Sequence, residues 1–171
     1  SPLCYTNRNI IYESKKIINC KPAYVDLRNV SSAEAALAFL SARNFPNNAS
    51  PGSTATCTLC ARLNTLKNID GFNKNLRRYE DLDLAIKALK KNISIISIEA
   101  PLVDQYFTNT SEKKNSFKYE FILIKSHELF LREKNLFDFA LLYVKLKHSI
   151  LEISIFKSIF YLIKFFITYP L

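Results

Sequence analysis

The sequence predicts an α/β fold followed by a helical C-terminal region. Two observations carry that prediction. Up to Thr110, short runs rich in Ile, Tyr, Thr and Cys alternate with stretches whose apolar residues recur every three or four positions. Beyond Thr110 the chain turns to long helical patterns rich in Phe, Leu and Lys. A composition of 49% hydrophobic and 13% aromatic residues in 171 is that of a packed protein with a real core. No internal repeat is visible.

Taken in order, Leu3–Thr6 and Asn9–Tyr12 are short β-prone runs separated by Asn7-Arg8. The polar turn Glu13-Ser14-Lys15-Lys16 then leads into Ile17–Cys20, a hairpin pattern whose turn lacks glycine. Ser31-Ser32-Ala33-Glu34 starts a helix: Ser31 can cap, and Glu34 three residues on can close a capping box. That helix should stop near Asn44, before Pro46, and 47–53 is a loop by composition. Residues 54–61 read as a strand and Arg62–Asn68 as a short helix ended by a turn at Asp70-Gly71.

From Glu80 the pattern is helical again. Leu82, Ala85, Ile86 and Leu89 form one apolar stripe. Glu80, Asp81 and Asp83 stand in the first turn and Lys87, Lys90 and Lys91 at the end, an order that complements the helix dipole. Asn92 is the expected stop, followed by a strand over Ile93–Ile98 closed by Pro101. Ser111 to about Lys134 and Leu136 to about His148 are the long helical patterns of the C-terminal region.

In the last segment, Lys145–Leu171, polar residues recur in one narrow stripe and nearly everything else is Ile, Leu or Phe. Each charge near the bilayer centre costs about 2.5–3.5 kcal/mol. A basic amphipathic helix lying in the membrane surface therefore fits better than a spanning one. The alternative is a helix docking its wide apolar face on its own protein.

The net charge of +9 favours nucleic acid, anionic lipid or a phosphorylated small substrate. The basic residues are spread along the chain rather than massed in a stripe with interleaved aromatics, which speaks against nucleic acid. The four cysteines are Cys4, Cys20, Cys57 and Cys60. Cys57-x-x-Cys60 lacks a second Cys/His pair at ligand spacing, and on a strand its two members point to opposite faces. They read as packing cysteines in a reducing compartment. Ser1-Pro2-Leu3-Cys4-Tyr5 shows no secretory leader and no initiator Met, so the chain is expected to be an excerpt or a truncated product.

The stretch with the most chemistry is Asp70-Gly71-Phe72-Asn73-Lys74-Asn75-Leu76-Arg77-Arg78-Tyr79-Glu80-Asp81-Leu82-Asp83-Leu84. It holds one of two glycines and the densest carboxylate cluster in the chain. Gly71 permits φ > 0 and close approach of a ligand to the backbone. Lys74, Arg77 and Arg78 bring positive charge beside Glu80 and Asp81. A carboxylate held at a helix mouth can take a proton from a hydroxyl nucleophile, and arginines can stabilise a departing phosphate. First-turn carboxylates also occur for the dipole alone.

The run Asn68–Ala88 resembles a segment of the family-2 glycosyltransferases, in which Gly-Gly-Phe-Asp-Glu is followed by Glu-Asp-x-Asp-Leu and a helix. Leu3–Thr6, Ile10–Tyr12 and Lys16–Ile18 resemble that family's strand pair after its metal-binding Asp-x-Asp. Thr54–Leu63 resembles the strand before the Gly-Phe turn, and Ile93–Ile98 with Ala100–Val103 the strand after the helix. The resemblance covers about residues 3–112. Asp70 replaces the first Gly, Asn73-Lys74 replace Asp-Glu, and a His often found after the following strand is not evident, with Tyr106 and Phe107 near its place.

The resemblance implies a partial GT-A, Rossmann-like sheet with flanking helices. Residues 1–111 would be the acceptor-side half of a GT-A domain, and 112–171 a helical extension with a membrane-associated terminal helix. It implies inverting transfer of a sugar from a nucleotide-sugar donor to a hydroxyl of a glycan or lipid-linked acceptor, in bacterial surface polysaccharide synthesis. Asp81 would be the base, with Glu80 orienting the acceptor or supporting the base. Gly71 would lie near the sugar pocket, with Arg77 and Arg78 as anion contacts. The family's divalent cation, Mn or Mg, is expected, yet its Asp-x-Asp is absent from this chain and no metal ligand is assigned. The nucleotide-binding half is missing as well. The place would be cytoplasmic, peripheral on the inner face of the membrane. The alternative function is a non-catalytic remnant or membrane-peripheral interaction module without a donor site.

Overall fold

The computed structural model describes residues 1–41, 49–50, 52–107 and 116–169. They belong to two compact units, Ser1–Lys113 and Lys114–Leu171. The protein is α/β. Unit 1 holds strands β1 (Leu3–Ile11), β2 (Ile17–Cys20), β3 (Tyr24–Val25), β4 (Ala49–Ser50), β5 (Leu59–Cys60) and β6 (Ile95–Tyr106), with helices α1 (Ser32–Ser41), α2 (Leu63–Asn68) and α3 (Glu80–Lys90). Unit 2 is helical: α4 (Ser116–Ser126), α5 (Glu128–Glu133), α6 (Phe137–Leu151) and α7 (Ile155–Thr168).

The sheet is mixed and ordered β2-β1-β6-β3-β4, with β5 on β1. β1 and β2 are antiparallel, with Ile11 opposite Ile17. Their turn works without glycine because Lys15 adopts φ 60° and its N–H reaches the Tyr12 carbonyl at 2.9 Å. β1 and β6 run parallel, Leu3 beside Ile95, and the long connection between them carries α1, α2 and α3. Leu3, Tyr5, Val25 and Ile95 of the sheet and Leu84, Ile86 and Leu89 of α3 are fully buried.

α1 begins as its sequence dictates. Glu34 N–H donates to Ser31 Oγ at 3.2 Å, and Ser31 N–H donates to Glu34 Oε2 at 2.9 Å, a complete capping box. The expected end of this helix near Asn44 and most of the 47–53 loop lie outside the described residues.

Several expectations are corrected. Leu3–Thr6 and Asn9–Tyr12 are one strand, Leu3–Ile11. The irregularity lies in the pairing with β6, whose register shifts at Thr6/Asn7 and Asn7/Arg8. The strand expected to close at Pro101 continues through it to Tyr106. Among the described residues β3 meets β6 only at Val25–Ile95, so Pro101 sits beside an unpaired edge and at a register shift, where a missing N–H is tolerated.

Residues 54–61 are not one strand. Thr56–Thr58 form a 3₁₀ turn, because the Thr58 hydroxyl and N–H both bond the Ala55 carbonyl, at 2.8 and 2.9 Å. Cys57 and Cys60 are consequently exposed free thiols rather than packing residues.

Helix ends account for the remaining corrections. α2, α3, α5 and α6 each close with paired bonds spanning five and three residues. For α6 these are Ser154 N–H to Ser149 O at 3.0 Å and Ile153 N–H to Ile150 O at 3.0 Å. This is the Schellman arrangement, which requires a left-handed residue just past the helix. In this glycine-poor chain that place is held by Asp70 (φ 57°), Asn92 (54°), Asn135 (56°) and Ile153 (56°). Thus Asn92 stops α3 as its sequence indicates. The segment expected to be one helix from Lys145 onward breaks after Leu151. The long pattern from Ser111 to Lys134 divides into α4 and α5 around His127; its first five residues lie outside the described ones.

In unit 2, buried Glu120 of α4 receives Lys147 Nζ at 2.6 Å and lies 2.8 Å from His148 Nε2, both on α6. α7 packs on α6 through Ser158–Ser149 (3.2 Å between hydroxyls) and through Phe139, whose ring centroid is 5.4 Å from Phe165. Among the described residues, no helix is long and apolar enough to cross a membrane.

Candidate active site at the start of helix α3

α3 is positioned by a buried ion pair. Asp83 is fully buried, and its carboxylate meets Lys87 Nζ at 2.9 Å, one helical turn on. The same ammonium donates to the Gly71 carbonyl at 2.8 Å. Lys87 therefore ties the Asp70-Gly71 turn to the helix. Gly71 has φ +51°, and a Cβ there would meet no atom within 4 Å. Its requirement is for the backbone conformation rather than for space, and its carbonyl serves the clamp.

The first-turn acids have separate fates. Asp83 is the structural one. Glu80 and Asp81 are half-buried. Asp81 Oδ1 accepts the Leu82 N–H at 2.7 Å. Burial raises the Asp81 carboxyl above the usual carboxylate range. The Leu82 amide opposes that shift, the Glu80 charge adds to it, and Arg8 lowers it in turn. Entry to the helix is through Tyr79, whose φ of 65° is left-handed and which supplies no side-chain cap.

Beneath Asp81 lies β1. Tyr5 is fully buried, and its hydroxyl has no hydrogen-bond partner among the described residues. Desolvation and the Asp81 charge together raise its proton affinity far above that of a free phenol, so Tyr5 stays protonated. Arg8 extends one guanidinium nitrogen to Cys57 Sγ at 3.8 Å, while its Nε is buried and unpaired among the described residues.

The lengths agree with this placement. α3 ends beside the start of β6, which pairs with Leu3. Eleven helical residues cover about 16 Å, and the run from Leu3 to Arg8 covers about the same in a strand. Asp81 acts electrostatically on Tyr5 and on Arg8, so the N-terminus of α3 lies near that part of β1. In open α/β sheets, ligands are bound outside the carboxyl ends of parallel strands.

Of the residues singled out from sequence, Glu80 and Asp81 are brought together. Gly71 is tied to the same helix two turns further on. Arg77 is exposed and Arg78 half-buried, and the cation that bears on Asp81 is Arg8 instead. Arg8 and Tyr5 were not singled out. They are more than 70 positions from Asp81 in the chain, and only the pairing of β1 under α3 unites them. Among the described residues, no three His, Cys, Asp or Glu side chains converge in a way that could hold a metal ion.

A cleft of about 410 Å³ lies at the opposite end of the same strands, lined by Tyr24, Asp26, Arg28, Asn92, Ser94 and Ile96 among others. Its charged pair, Asp26 with Arg28, is 2.9 Å apart.

No protein-family model matches this chain, and no curated protein and no solved structure matches it.

Proposed function

We propose that residues 1–111 are the acceptor-side half of a GT-A glycosyltransferase domain and that Asp81 is its general base. The observation that carries this reading is the state of Asp81: a carboxylate in the first turn of α3, over the parallel strand pair, with its proton affinity raised by burial. A raised proton affinity brings a carboxylate closer to the operating pH, where general-base transfer is more efficient. The resemblance of Asn68–Ala88 to the family-2 enzymes points to the same residue.

In the reaction so assigned, Asp81 takes the proton of an acceptor hydroxyl as its oxygen attacks the anomeric carbon of a nucleotide-sugar. The bond from that carbon to the nucleoside diphosphate breaks, and the diphosphate leaves with its electron pair. Attack from the opposite side inverts the sugar. Glu80, next to Asp81, orients the acceptor or supports the base, and its charge keeps the Asp81 proton affinity high. Gly71, Arg77 and Arg78 belong to the proposed substrate side. The donor, the glycan or lipid-linked acceptor and the place in polysaccharide synthesis are parts of the proposal.

The test is transfer from nucleotide-sugars to glycan acceptors by the protein as its cell produces it, against its Asp81→Asn variant. A loss of about 10²–10⁴-fold in turnover, with the circular dichroism spectrum unchanged, is the expected result for a general base. Turnover within a few-fold of the parent removes Asp81 from the role.

A further inference from the structure

α7 is 14 residues long and has no buried residue. Ile155, Phe156, Ile159, Phe160, Ile163 and Ile167 are 51–89% exposed. At about 100° per residue these side chains, with Leu162 and Phe166, occupy close to half the circumference of the helix. Ser158, Tyr161 and Phe165 are the half-buried positions, and Ser158 and Phe165 make the contacts to α6. The apolar arc therefore faces away from the helix that holds α7. The exposed side chains of Ile150, Leu151 and Ile153 extend it at the α6–α7 junction.

The charges of α7 are arranged around that arc. The helix carries Lys157 and Lys164 and no acidic residue. The two lysines are two turns apart and lie on the border between the apolar arc and the α6 contact. Lys145 of α6 lines one hollow with Lys157 and Glu152 and a second with Lys164 and Asp138. Residues 116–169 hold eight Lys and Arg against five Asp and Glu.

We propose that the exposed arc of α7 is a docking face for an anionic lipid surface. The helix lies in the plane of the interface, with its Phe and Ile side chains among the acyl chains and with Lys145, Lys157 and Lys164 reaching lipid phosphates. Length excludes spanning: 14 residues rise about 21 Å, short of a hydrocarbon core of about 30 Å. Width argues against self-pairing as a coiled coil, which uses a narrow stripe with charges on both flanks. A broad apolar arc of Phe and Ile edged by lysines is the pattern of interfacial helices, and long lysine stems can lie along the apolar boundary with their ammonium groups in water. The face is independent of the transferase reading and survives its failure.

Sedimentation of the whole chain with phosphatidylcholine vesicles, with and without a third of phosphatidylglycerol, tests the assignment. The expected result is binding at least several-fold stronger with the anionic lipid. Phe156→Asp/Ile163→Asp should weaken it tenfold or more with helix content unchanged, since both side chains are exposed. Lys157→Gln/Lys164→Gln should remove the preference for anionic lipid while leaving weaker binding to both vesicles. Failure of the folded chain to bind either vesicle overturns the proposal, as does equal binding by the Asp double variant. Self-association that this double variant disperses, without vesicle binding, would assign the face to a second copy and overturn it equally.

Discussion

Helices α3 and α7 invert the usual relation between composition and burial. α3 has five charged residues in eleven and buries six side chains, Asp83 among them; α7 has two in fourteen and buries none. Apolar content alone does not place a helix in a core. α3 is inside because each charge on its inner side has a partner there: Asp83 has Lys87, and Lys87 also has the Gly71 carbonyl. α7 has no buried residue, and it meets α6 through a hydroxyl pair and aromatic edges. The first helix uses charge to fix a site; the second uses it to border a face.

The sharpest way to break that contrast is to remove one cation from each helix. Lys87→Met breaks the buried Asp83–Lys87 ion pair and the tie to the Gly71 carbonyl, and breaking a buried pair costs about 3–5 kcal/mol. Urea denaturation should show it as a large fall in midpoint. Lys157→Met, at an exposed position, should change stability by no more than about 0.5 kcal/mol. Equal effects would mean that the Asp83–Lys87 pair does not anchor α3.

A smaller effect of opposite sign is expected at the α6–α7 junction. Ile153 holds a left-handed conformation at φ 56°, which costs a β-branched residue about 1–2 kcal/mol. Ile153→Gly should raise the melting temperature by a few degrees, part of the relief being offset by the entropy glycine loses on folding. A fall in melting temperature would show that the Ile153 side chain contributes more by contact than its backbone loses.

The smallest effect is a matter of pH. The folded Asp81 carboxyl holds its proton more tightly than its ordinary value of 3.8, so the native state binds more protons than the unfolded one. Asp81 therefore lowers stability as pH rises from about 3.8 through the raised folded value, and the deficit persists above it. Asp81→Asn should match the parent below that window and exceed it slightly at neutral pH, read as the difference between their urea midpoints at each pH. A difference that shrinks as pH rises would contradict the raised value.

Local chemistry was legible in the sequence, and long-range pairing was not. The capping box of Ser31 and Glu34, the charge order of α3 and the stop at Asn92 are decided within a few residues, and each stands as its sequence indicates. The continuation of β6 through Pro101 depends on which neighbour that strand lacks, a property of the sheet. The break at Ile153 carries no glycine or proline to mark it. At the candidate site, Glu80 and Asp81 were readable from their place in a first helical turn. Arg8 was not, because it stands on a strand that the chain crosses more than 70 residues earlier.

β6 carries one more consequence. Beyond Ile95, among the described residues, it pairs with β1 alone, and Ile96, Ile98, Leu102 and Tyr106 are all exposed along it. Such a border is a template on which further chains can stack into fibrils. Pro101 offers no amide hydrogen to an incoming strand, and Glu99 and Asp104 place negative charge on either side of it. The residue that looked like the end of a strand thus also works as a gatekeeper, limiting growth of this sheet from molecule to molecule in a crowded solution.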